Sequence, residues 1–142
     1  MFPEAESVFE SFFLEPFQAL TESMQKFKVI ERFTVLMYAK TSITHSVNVL
    51  RQEMFNRSGN VEAIPPTQDA LLQHTKRAIY QAGVWARCLQ SNQDLPSPRY
   101  FSWKHNNEIE RKWIPFWMVQ QPASKELRKQ FIVCGCKTVC RA

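Results

Sequence analysis

Cys134, Cys136 and Cys140 stand within seven positions of one another, in the order C-x-C-x3-C, and Cys88 is the chain's other cysteine. Closely spaced thiolates are the ligands of structural zinc, which takes four of them in a tetrahedron. Cys134, Cys136 and Cys140 are therefore the candidate metal residues. They supply three ligands, so the site they suggest is incomplete. A fourth ligand has to come from elsewhere, such as His105 or a second chain, and the chain alone is expected to need no cofactor. Arg128, Lys129, Lys137 and Arg141 flank these cysteines with only Glu126 opposing them. They are the candidate nucleic-acid contacts, since clustered cations neutralise phosphates.

Other chemistry is thin. The histidines His45, His74 and His105 are scattered, with no H-x3-H or H-E-x-x-H pair, which argues against a histidine-based metalloenzyme. Three glycines in 142 residues leave no phosphate loop or dinucleotide fingerprint. No G-x-S-x-G elbow accompanies Asp69 and His74. The chain is expected to have no active site and no small-molecule substrate. His74 is expected to be a satisfied, partly buried histidine. Cys88, beside Trp85 and Leu89, is expected to be a small core residue.

Charge divides the chain. Residues 1–22 hold five of the 13 acidic residues and none of the 18 basic ones. Such a basic remainder is expected to form solvated helix faces, since its Lys and Arg are spread widely; the alternative is attraction to DNA or an acidic protein partner. No run approaches the length of a membrane span. The acidic N-terminus does not resemble a secretory signal, and four cysteines without one suit a reducing, intracellular compartment, which for a DNA partner would be the nucleus.

The elements that position these groups read as mainly α: a single helical domain with a small C-terminal β-hairpin and a short terminal helix. Residues 1–20 form an acidic, aromatic lead-in interrupted by Pro3 and Pro16. The helical domain then spans 21–133. Thr21 is expected to cap a helix running to about Ala39, with Met24, Phe27, Ile30, Phe33 and Met37 as its buried face. A second helix carries Val47, Leu50 and Met54 and stops near Gly59. Ile64-Pro65-Pro66 is a stiff connector, after which Thr67 caps the longest helix, Gln68 to about Gln90. Leu71, Ala78, Ala82, Trp85 and Leu89 are its expected core stripe, Lys76, Arg77 and Arg87 its wet side, and Gly83 a close contact or bend.

Tyr100, Phe101 and Trp103, then Trp113, Phe116 and Trp117, flank a turn and predict a hairpin over about 99–118, with Pro115 at an edge. These aromatics, interleaved with Arg99, Lys104, Arg111 and Lys112, suit base stacking. Packing against the helices is the preferred expectation, because so small a sheet persists only if alternate residues are buried. Ser124 is expected to cap the terminal helix, which carries Leu127 and Phe131 toward Cys134.

Several segments together resemble one family: Val47–Arg51, Ile64–Thr67, His74–Trp85, Leu95–Pro98, Trp103, Trp117 and the tail from Cys134 to Cys140. It is a set of long animal proteins, apparently related to mobile elements, that end in a tesmin-like CXC domain. The resemblance covers roughly residues 20–142. It implies that 134–142 is the truncated start of a cysteine-rich module that binds zinc and DNA. The module's remaining cysteines and its DNA-contacting tyrosine have no counterpart here. The part present then corresponds to the non-enzymatic helical region ahead of the module. The alternative is weak, sequence-independent nucleic-acid binding through the basic surface and cysteine tail.

Overall fold

The computed structural model describes residues 3–21, 24–58, 63–91, 94–106 and 112–116. Four helices come first: α1 (Pro3–Leu14), α2 (Gln25–Tyr38), α3 (Val47–Ser58) and α4 (Gln68–Ala86). A 3-10 turn (Pro98–Phe101) then leads into an antiparallel hairpin, β1 (Trp103–Asn106) and β2 (Lys112–Pro115). The mainly helical class and the small hairpin are as expected. The terminal helix expected after Ser124 lies outside the described residues.

The acidic lead-in is a helix that packs on α2 and α4. Its prolines bracket it: Pro3 occupies the first turn, where a missing N–H costs nothing, and Pro16 lies beyond Leu14. Glu4 and Glu6 complement the positive end of the helix dipole. Ala5 and Phe12 are buried and Val8 packs beside them, a seam at i, i+3 and i+7. Phe12 and Leu20 join the same core cluster as residues from α2 to α4.

In α2 the buried face is Phe27, Ile30, Glu31, Thr34 and Val35, not the row Met24, Phe27, Ile30, Phe33 and Met37. Successive steps of three fall about 60° short of a full turn each, so that row winds off the core and leaves Met24 and Met37 exposed. The two polar members of the true face are satisfied: Thr34 Oγ1 donates to Ile30 O at 2.9 Å, and Glu31 is bonded as described below. Nor does Thr21 cap α2. Met24 is its N-cap, without a side-chain bond, while Thr21 O accepts from Met24 N at 3.2 Å.

Helix α4 starts as expected, with Thr67 Oγ1 accepting from Ala70 N at 3.2 Å. Its buried apolar stripe is Leu71, Leu72, Ile79 and Ala82. Ala78, Trp85 and Leu89 face outward, Trp85 at 63 % and Leu89 at 97 % exposure. Leu89 and Cys88 lie past the helix end at Ala86. Gly83 is a close contact: a Cβ there would sit 2.6 Å from the Phe17 ring. Phe17 takes a left-handed φ of 66°, and its ring packs against Tyr80 and Phe101 at 5.7 and 5.9 Å. Those three rings lock the start of the chain to α4 and to the 3-10 turn.

Candidate functional site

Cys134, Cys136 and Cys140, together with Arg128, Lys129, Lys137 and Arg141, lie outside the described residues. Among the described residues, no group of three His, Cys, Asp or Glu side chains is gathered to hold a metal. His105 sits in strand β1 rather than a turn, and its ring meets Trp113 edge-on at 5.5 Å. His74 is exposed on α4 rather than partly buried, lying beside Leu71 at the edge of the buried face, next to exposed Ala78 and not within the seam. Cys88 is an exposed free thiol and not a core residue, since the helix has ended two residues earlier. No described helix is long and apolar enough to cross a membrane.

Buried polar side chains instead join the elements. Glu31, 5 % exposed, accepts through Oε1 from Val47 N and through Oε2 from Gln68 Nε2, each at 3.0 Å. Gln68 N in turn donates to Asn48 Oδ1 at 3.0 Å. A single carboxylate on α2 thus holds the N-termini of α3 and α4, whose unpaired N–H groups favour negative charge. Arg51 donates to Pro65 O, pinning the proline connector to α3, and burial lowers the pKa of its guanidinium.

A cleft of about 490 Å³ opens beside Glu31 between α1, α2 and the start of α3. Two of its lining residues, Arg32 and Ser46, serve the fold. Arg32 Nη1 donates to Ser42 O and Thr44 O at 2.8 and 2.5 Å, and Ser46 N donates to Thr44 Oγ1 at 3.3 Å. These bonds close the α2–α3 loop.

The hairpin is fastened to α4 by polar bonds that the sequence reading missed. Arg77, expected in solvent, is 7 % exposed and donates to Phe116 O at 2.5 Å; desolvation lowers its pKa. Ser102 Oγ donates to Gln73 Oε1 at 2.5 Å, while Gln73 Nε2 donates to Asp69 Oδ1 at 2.8 Å. Ser102, at φ 63°, also accepts from Phe116 N at 2.8 Å. The available signal was the i, i+4 pair Gln73 and Arg77 on the side of α4 that the hairpin covers.

Between α4, the 3-10 turn and the hairpin lies a groove of about 390 Å³. Lys76, Arg99 and Lys104 line it together with Tyr100, Trp103 and Phe116, and among the described residues no Asp or Glu lines it. The hairpin aromatics divide their roles. Phe101 is buried in the core and Trp103 packs against it, whereas Tyr100 is 76 % exposed. The Trp103 indole N–H is buried without an acceptor among the described residues.

Compared with family models, curated proteins and solved structures, the chain matches none.

Proposed function

We propose that this chain is a non-enzymatic helical scaffold or interaction domain that precedes a zinc- and DNA-binding cysteine-rich module. Cys134, Cys136 and Cys140 are the start of that module. The observation that carries the proposal is the use made of the buried and half-buried polar side chains. Glu31, Arg51, Gln73 and Arg77 each bond to a neighbouring element. Groups held in this way serve rigidity and register; they are not poised to exchange protons with a substrate. A rigid body of this kind suits the task of holding an adjoining segment in place. With DNA as the partner of that module, the nucleus would be its place of work.

The test is zinc analysis of the reduced full chain beside Cys136→Ser. The scaffold role predicts less than one tightly held zinc per chain and a melting temperature that the substitution leaves unchanged. A stoichiometric zinc whose loss in Cys136→Ser also unfolds the helices would contradict it, because the body would then depend on the metal.

A second reading is weak, sequence-independent binding of nucleic acid by the basic surface and the tail. The three cations Lys76, Arg99 and Lys104 that line the groove beside the hairpin favour it.

A further inference from the structure

We infer that the groove between α4, the 3-10 turn and the hairpin is a binding site for single-stranded nucleic acid. Tyr100 is its stacking platform, and Lys76, Arg99 and Lys104 are its phosphate contacts. The inference rests on the second reading above and locates it in the body of the domain, apart from the cysteine tail.

Three features carry it. The first is charge: among the described residues three cations and no carboxylate line the groove, and the amide of Gln73, which also lines it, is already engaged by Ser102 and Asp69. A strand of phosphates matches that field. The second is the exposed ring. Tyr100 is 76 % exposed, while its neighbour Phe101 carries the core contact, so the Tyr100 ring is not needed to hold the hairpin down. An aromatic face beside cations is the means by which proteins take up unstacked bases. A duplex keeps its bases stacked on one another and offers nothing to such a ring, so the occupant is a single strand. The third is preorganisation. The bonds from Arg77 to Phe116 O and from Ser102 to Gln73, both 2.5 Å, fix the groove floor to α4. Little ordering cost then remains for a ligand to meet.

The groove is of small-ligand size, which suits one or two nucleotides of a longer strand. Recognition through rings and phosphates alone predicts tolerance of sequence.

The test is fluorescence anisotropy of a labelled oligothymidylate of about 15 nucleotides, titrated with the full chain at about 50 and 200 mM salt. Tyr100→Ala and Lys104→Ala alter exposed side chains, and their melting temperatures, measured alongside, should match the parent's. Lys28→Ala, exposed in the cleft beside α1, is the control for loss of one charge. Tyr100→Ala should weaken binding by between about five- and 150-fold. Lys104→Ala should flatten the logarithmic salt dependence by about 0.7, and Lys28→Ala should change neither. Oligonucleotide binding that Tyr100→Ala and Lys104→Ala leave intact overturns the groove while the second reading stands. No binding even at about 50 mM salt overturns both. Tighter binding of polyglutamate, with the same dependence on Tyr100 and Lys104, overturns the inference in favour of an acidic protein partner.

Discussion

Removing the Glu31 carboxylate should separate α2 from the starts of α3 and α4. In Glu31→Ala, Val47 N loses its acceptor at 3.0 Å, and because Val47 is fully buried, water cannot replace it. A stranded buried donor costs about 1–3 kcal/mol. Gln68 Nε2 loses its bond as well, but Gln68 is only half-buried and its amide can turn to solvent. The void left by the side chain adds to the loss, while release of a desolvated charge offsets part of it. The net cost is about 2–4 kcal/mol, or a fall in Tm of roughly 4–16 °C for a chain of this size. Glu31→Gln keeps an oxygen for Val47 N and should cost about 1 kcal/mol, the difference between charged and neutral acceptors. Urea unfolding followed by circular dichroism measures all three proteins. The reasoning is refuted if Glu31→Ala costs under about 1 kcal/mol or if alanine and glutamine are equivalent.

Gly83→Ala should destabilise by about 1–3 kcal/mol through the clash with the Phe17 ring, although alanine favours the helix by about 1 kcal/mol; a stabilised variant in the same urea assay would show that the ring yields freely. Ile79→Ala should cost about 2–5 kcal/mol, since Ile79 is buried in the core. Trp85→Ala, on the opposite side of α4, should cost under about 1 kcal/mol, and thermal melts of the pair will reveal a misplaced helix register if that order inverts. Burial raises the Tyr80 phenol above its ordinary pKa, so the folded state keeps its proton where the unfolded chain has begun to lose it. That contribution is complete below about pH 10 and is lost as pH rises through the folded-state pKa. Melts against pH should therefore show a shallower alkaline decline for Tyr80→Phe than for the parent, and parallel curves would count against the burial.

Local signals that act through the backbone were legible. Thr67 caps α4 as its position after two prolines suggests, Gly83 marks a close approach, and the aromatic segments around 103–115 pair as a hairpin. The errors arose where apolarity was taken as the guide to the core. Glu31, Thr34, Gln73, Thr75 and Arg77 are buried, and a pattern built on apolar residues alone slides off the true face whenever a polar residue occupies it. Leu71 and Ala82 were placed correctly, but the same bias put Trp85 and Leu89 inside in place of Leu72 and Ile79. Helix α1 was missed because Pro3 and Pro16 read as breaks, whereas proline at a helix start or past its end delimits the helix. The tertiary partners of Glu31 and Arg77 lie 16 to 39 residues away, and no local spacing announces them. For the site, the basic and aromatic residues near 99–104 were visible in sequence. Their convergence with Lys76 was not, since it depends on how the hairpin docks on α4.

The proposed scaffold role requires the helical body to be independent of the cysteine tail, and a zinc titration of the reduced, isotope-labelled full chain, followed by amide NMR, tests that independence most directly. Zinc should shift resonances around Cys134–Cys140 and leave the core amides of Phe27, Ile30, Val47 and Ile79 in place, with a chelator reversing the change and the helices staying folded. Core amides that shift with zinc, or a body that unfolds when the metal is removed, would contradict the account.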